Sequence, residues 1–228
     1  MERIESIELD IVGQVNAFRA RHNRAPLIHH RQLSDVAREH SRDMADRGYY
    51  AHIDPDGVTP DQRIQRTFAP RLVSTGSAQN IAYRQEIGNR ANLLHDQMTL
   101  IGVGVYASGD KVFATQKFMD YLVEIIDPEP GAQISSDNAS VTVRVNSRRI
   151  TPQRLVVKVN LPDPTARWEL GNRRFYTGFG FVDTEWISED HVTVRLPVDR
   201  YGPGGYSLQF GDRGGNATYD QRVEYAVR

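Results

Sequence analysis

Histidine, carboxylate and hydroxyl groups carry most protein chemistry, and this chain of 228 residues has seven histidines but no cysteine. Without cysteine there is no disulfide, thiolate zinc site or thiol nucleophile. His52 stands in the stretch GYYAHIDPDG, close to Asp54 and Asp56. Two aspartates before Gly57 resemble the start of a calcium loop. The following VTPDQRIQR lacks the acidic residue that would close such a loop, so the prolines and glycine predict an ordinary turn. His40 shares an apolar face with Ala37 and Met44 and reads as a buried, hydrogen-bonded core histidine. His22, His29 and His30 fall at helix ends and read as surface or cap-region groups. His95 and His191 have no companion at ligand spacing. Ser41, Ser77, His52 and Glu86 include the residue types of a serine hydrolase, but no Gly-x-Ser-x-Gly elbow exposes a nucleophile. No catalytic residue is expected.

Periodicity shows which elements would position these groups. Ile4, Ile7, Ile11, Val15 and Phe18 recur at three- and four-residue steps, predicting an amphipathic helix from Glu2 to His22. Leu33, Val36, Ala37, His40 and Met44 mark a second helix ending near Gly48, and Thr59-Pro60 reads as the cap and first residue of a third, through Ile64. IGVGVY and KVFATQKFMDYLVEI read as two strands joined at ASGD. Beyond Asp127 the composition turns to PEPGAQISSDNA, which reads as a linker over 128–139 between domains 1–127 and 140–228. The second half then shows six runs of period two, SVTVRV, LVVKVN, RRFYTGFGFV, HVTVRLP, YSLQF and RVEYAV. These predict an antiparallel β-sandwich of immunoglobulin-like shape. Trp168, Trp186, Tyr201 and Tyr206 read as core aromatics of that sandwich. Asn138-Ala-Ser and Asn216-Ala-Thr fit a glycosylation pattern that matters only in a eukaryotic secretory pathway.

A formal net charge of -1 gives no long-range pull toward phosphate backbones, so nucleic acid is not expected as a partner. No apolar run is long enough to cross a bilayer, and MERIESIELD shows no signal-peptide pattern.

Four segments, VNAFRARHNRAPL, LSDVAREHSRDMADRGYYAHIDPDG, QNIAY and GNRANLLHDQMTLIGVGVY, resemble the CAP superfamily in its cysteine-free bacterial form. This superfamily comprises cysteine-rich secretory proteins, antigen 5 and pathogenesis-related 1. The resemblance spans roughly Glu5 to Ile126. It implies an α/β/α sandwich, so the fold expectation for the whole chain is α+β, with the CAP-like sandwich followed by the all-β one. It also implies a cleft in which two histidines and two acidic residues can bind a divalent cation. His52 matches the first histidine. Gln79 stands in SAQN where the family has glutamate, Asn89 in GNRANLL where bacterial members have histidine, and Phe113 before ATQ where animal and plant members have histidine. The helix that supplies the second acid is replaced by a short connection from Tyr83 to Gly88, beside which Glu86 reads as a solvated loop residue. One neutral imidazole cannot hold zinc against water, so neither metal nor cofactor is expected.

The candidate cleft is therefore His52, Gln79, Asn80, Asn89 and Arg90, in which His52 would be acid, base or donor and the others would orient a polar ligand. The expected role is a non-enzymatic binding or scaffold protein working outside the cytoplasm, with an unknown protein, glycan or lipid as partner. The family resemblance also admits a carrier of lipid or another small ligand, and a metal-assisted hydrolase or peptidase.

Overall fold

The computed structural model describes residues 2–83, 90–162, 169–170, 173–174, 178–182, 184–214 and 221–228. The chain divides into two compact units, Met1–Ala69 with Ser74–Tyr121 and Pro70–Val73 with Leu122–Arg228. Helices and strands mix in the first, and strands dominate the second.

In the first unit α1 (Glu2–Arg21), α2 (Arg31–Arg47) and α3 (Pro60–Phe68) accompany strands β1 (Ile28–His29), β2 (Leu72–Tyr83), β3 (Leu100–Ser108) and β4 (Lys111–Asp127), with a single turn α4 (Arg90–Leu93). β3 and β4 form an antiparallel hairpin, β1 joins β3 in parallel, and β2 pairs with the far side of β4. One face of this sheet presents Ile101, Val103, Val105 and Phe118 to Val12 and Val15 of α1. α2 lies on the other face at a separation that only glycine permits. A Cβ on Gly102 would stand 2.3 Å from the Leu33 backbone, and one on Gly104 1.9 Å from the Arg38 nitrogen. The result is a helix, sheet, helix layering.

α2 ends at Gly48 in the left-handed conformation, as the sequence predicts. Thr59 caps α3 in a reciprocal capping box with Gln62, though the helix continues to Phe68, past the expected end at Ile64. α1 departs from its predicted stripe, since Ile7 is exposed and Glu8 is buried in its place. The reason is electrostatic. The Glu8 carboxylate accepts two bonds from Arg38 and one from the Val105 N–H, which meet its charge in the interior.

The second unit holds two sheets around one apolar core. Leu122–Asp127 of β4, β6 (Ser140–Val145), β11 (Thr184–Trp186) and β12 (His191–Arg195) make one sheet in the order β4-β6-β12-β11. The other is β10-β7-β13-β14-β5, from β5 (Gln133–Ile134), β7 (Leu155–Leu161), β10 (Gly178–Phe181), β13 (Gly204–Asp212) and β14 (Val223–Val227). A short pair, β8 (Glu169–Leu170) and β9 (Arg173–Arg174), and the turn α5 (Val198–Tyr201) complete it. Val141, Val143, Val157, Val159, Val192, Leu208 and Phe210, from both sheets, meet in one core. Where composition suggests a linker, over 128–139, the chain runs as β5 and a 3-10 turn at Ser136–Asn138. β5 pairs in parallel with β14.

Candidate functional site

The site forms in the first unit where the loop after α2 and the start of α3 lie over β2 and β4. Several bonds hold the loop there. The Asp54 carboxylate accepts from the N–H groups of Asp56 and Val58, which closes a turn rather than a calcium loop. Arg63, on α3, donates to the His52 carbonyl at 2.9 Å and to Asp54 at 3.1 Å. The Tyr50 hydroxyl donates to the Ile81 carbonyl at 3.0 Å, and Ser77 donates to Asp61. Ser77, Gln79 and Ile81 alternate along β2, so one row of that strand meets the loop and the start of α3.

Beneath the loop lies the central feature. Lys117 of β4 is fully buried, and its Nζ donates to Gln79 Oε1 at 2.6 Å and reaches the Pro60 carbonyl at 3.5 Å. Gln79 Nε2 in turn lies 3.1 Å from His52 Nδ1. An ammonium has donors only, so the amide oxygen must face Lys117 and the amide nitrogen must face His52. His52 Nδ1 is then an acceptor, and the neutral ring carries its proton on Nε2. Burial, aided by the nearby Arg63 charge and opposed by Asp61, pulls the Lys117 amine down to about 7.

The predicted residues divide. His52 and Gln79 are brought together. Asn80 is buried on the opposite face of β2, where it donates to Gln116 at 3.0 Å and accepts from Asn92 at 2.7 Å. It ties β2 to β4 and α4 and does not approach His52, because neighbouring residues on a strand face opposite ways. Asn89, with Glu86, lies outside the described residues, as do Trp168 and Asn216, and Arg90 is described only by its backbone at the start of α4. Phe113 is buried. His40 is buried as expected. It bonds the Ala51 carbonyl at 3.1 Å, and burial holds its ring down to about 4.

Lys117 is the residue that sequence reading missed. The signal was a lysine at the alternate strand position shared by Phe113, Thr115 and Met119, all of which are buried. β2 was missed as well, because LVSTGSAQNIAY has no apolar alternation. Among the described residues no group of three or more His, Asp or Glu gathers in a way that could hold a metal ion. The donor set around His52 does not fit a divalent cation either. The acidic position is an amide whose oxygen is already taken by a buried amine, and that amine would repel a second cation.

Comparison with known proteins finds similarity over about half of the chain. The CAP family, described as the cysteine-rich secretory protein family, matches residues 12–118. An uncharacterized protein, YkwD, of Bacillus subtilis is 30% identical over 128 residues, covering 51% of this chain and 48% of its own length. The chain thus spans about half of that curated relative. An extracellular protein containing an SCP domain from Bacillus anthracis is 33% identical, covers 52% of this chain and 43% of its own, and has a TM-score of 0.44. An outer surface protein of Borrelia burgdorferi is 18% identical, covers 49% of this chain and 90% of its own, and has a TM-score of 0.43.

Proposed function

We infer, from a chain whose residues 12–118 belong to the CAP family in its cysteine-free bacterial form, that this protein is a non-catalytic binding module working outside the cytoplasm. The observation that carries the reading is the contact chain from Lys117 through Gln79 to His52, in which a buried amine already takes the Gln79 oxygen beside the histidine. Among the described residues the groups at this site are hydrogen-bonding ones rather than a gathered set of metal ligands, which supports binding over reaction. The family's secretory character supports the location.

The second unit reads as immunoglobulin-like and serves as a spacer or adhesion module beside the CAP domain. Its strand order supports this. β4-β6-β12-β11 matches the A-B-E-D sheet of that architecture, and β7-β13-β14 its C-F-G sheet. Tyr206, near the start of β13, donates its hydroxyl to the Gly202 carbonyl at 2.6 Å, four residues upstream. This is the tyrosine corner expected at the entry to strand F.

Native mass spectrometry of the protein isolated from its own source, before and after addition of zinc and calcium, tests the function. A bare mass in every condition is the expected outcome and turns the search to protein or glycan partners. A stoichiometric metal that disappears in His52→Ala would overturn the reading in favour of a metal-assisted hydrolase. A reproducible apolar adduct would replace it with a lipid carrier.

A further inference from the structure

We propose that Lys117 is a positioning residue that fixes which nitrogen of His52 carries the proton, and that the cleft accordingly takes a ligand through an acceptor oxygen, such as a carboxylate or carbonyl. The proposal deepens the non-catalytic binding role and rests on it.

Gln79 links the two groups, and on its own it is ambivalent. A carboxamide presents an oxygen on one side and a nitrogen on the other, and without further constraint either end can face an imidazole. Lys117 removes that freedom. Its Nζ is fully buried and held at 2.6 Å, so while the amine carries its proton, turning the amide over would set the NH2 group of Gln79 against an ammonium in a place that water cannot reach. The amide nitrogen is thereby committed to His52 Nδ1 at 3.1 Å. Its backbone carbonyl held by Arg63, exposed His52 sits at the surface of the site with an Nε2–H to offer. A donor fixed in this way selects an acceptor, and discrimination by a committed polar group is stronger than by apolar shape alone.

The test is a long-range proton–nitrogen correlation spectrum of the imidazoles in the full chain, with His52 assigned by its loss in His52→Gln and read on the neutral fraction of the ring at a pH below about 7, where Lys117 still carries its charge. In the wild type a single Nε2–H pattern is expected. In Lys117→Met the amide is released and the pattern becomes a mixture of both tautomers. In Gln79→Glu the carboxylate can only accept, so the proton moves to Nδ1. A wild-type Nδ1–H pattern, or a Lys117→Met pattern identical to the wild type in a folded protein, overturns the proposal. Acetate serves as a bare acceptor probe and is expected to shift the wild-type Nε2 resonance. No shift overturns the assigned ligand class. Zinc is the separate control. A zinc-induced change at His52 would sink the cation-free reading of the cleft, while the tautomer read in zinc-free buffer judges Lys117 alone.

Discussion

The two units bury very different material. The second is filled by valine, leucine and aromatic side chains from both of its sheets, and among its described residues the buried polar ones are Asn146, Ser207 and Gln209. The first buries Glu8, Arg19, His40, Gln79, Lys117 and Asp120 beside its apolar residues. Apolar burial stabilises without regard to direction or pH, whereas each buried polar group is costly unless its partners are fixed. The first unit supplies such partners. Arg38 and the Val105 N–H satisfy Glu8, the Leu93 and Ala25 carbonyls satisfy Arg19, and Gln79 receives Lys117. The difference teaches that one unit is built for stability, while the other uses part of its interior to orient groups at a site.

The most damaging substitution should be in the apolar unit. Phe210→Ala is expected to cost about 4 kcal/mol by urea unfolding, with the same cost at every pH. A marked pH dependence would break the comparison. In the first unit Gly104→Ala should lift α2 from β3, at a cost of about 3 kcal/mol in the same assay. A near-neutral result would mean that the close approach of helix and sheet is not required.

The polar interior should show itself in the pH profile. Burial holds His40 down to about 4 from 6.5 and Lys117 down to about 7 from 10.5. Both are lowered, so the unfolded chain binds more protons between the two values, and stability contributed by the neutral form is lost as pH falls. Stability should therefore rise with pH between about 7 and 10.5, on the order of 1 kcal/mol per pH unit. Lys117→Met should flatten that window and leave the His40 window, from about 4 to 6.5, in place. An unchanged slope in the variant would show that Lys117 is not the group responsible. The smallest effect belongs to a hydrogen bond in the apolar unit. Tyr206→Phe should cost about 1 kcal/mol by thermal unfolding at neutral pH.

The sequence by itself determined what local rules govern. The helix stripes, Gly48 as a stop, Thr59-Pro60 as a start, the β3–β4 hairpin and the alternating strands of the second half follow from periodicity and backbone preference. The quoted segments also carried the resemblance that the family model finds over residues 12–118, and singled out His52 and Gln79. Local rules could not show that Ile7 yields its buried place to Glu8, since that depends on an arginine thirty residues away on another helix. Nor could they reveal β2, whose polar row is met by Tyr50 of the loop, Asp61 of α3 and Lys117 of β4. Asn80 was grouped with Gln79 by adjacency, and only strand pairing showed that the two face opposite sides of the sheet. Lys117 is the clearest case. A lysine is tolerated inside an apolar strand only when partners meet it there, and those partners, Gln79 and the Pro60 carbonyl, are distant in sequence and converge only when the chain folds.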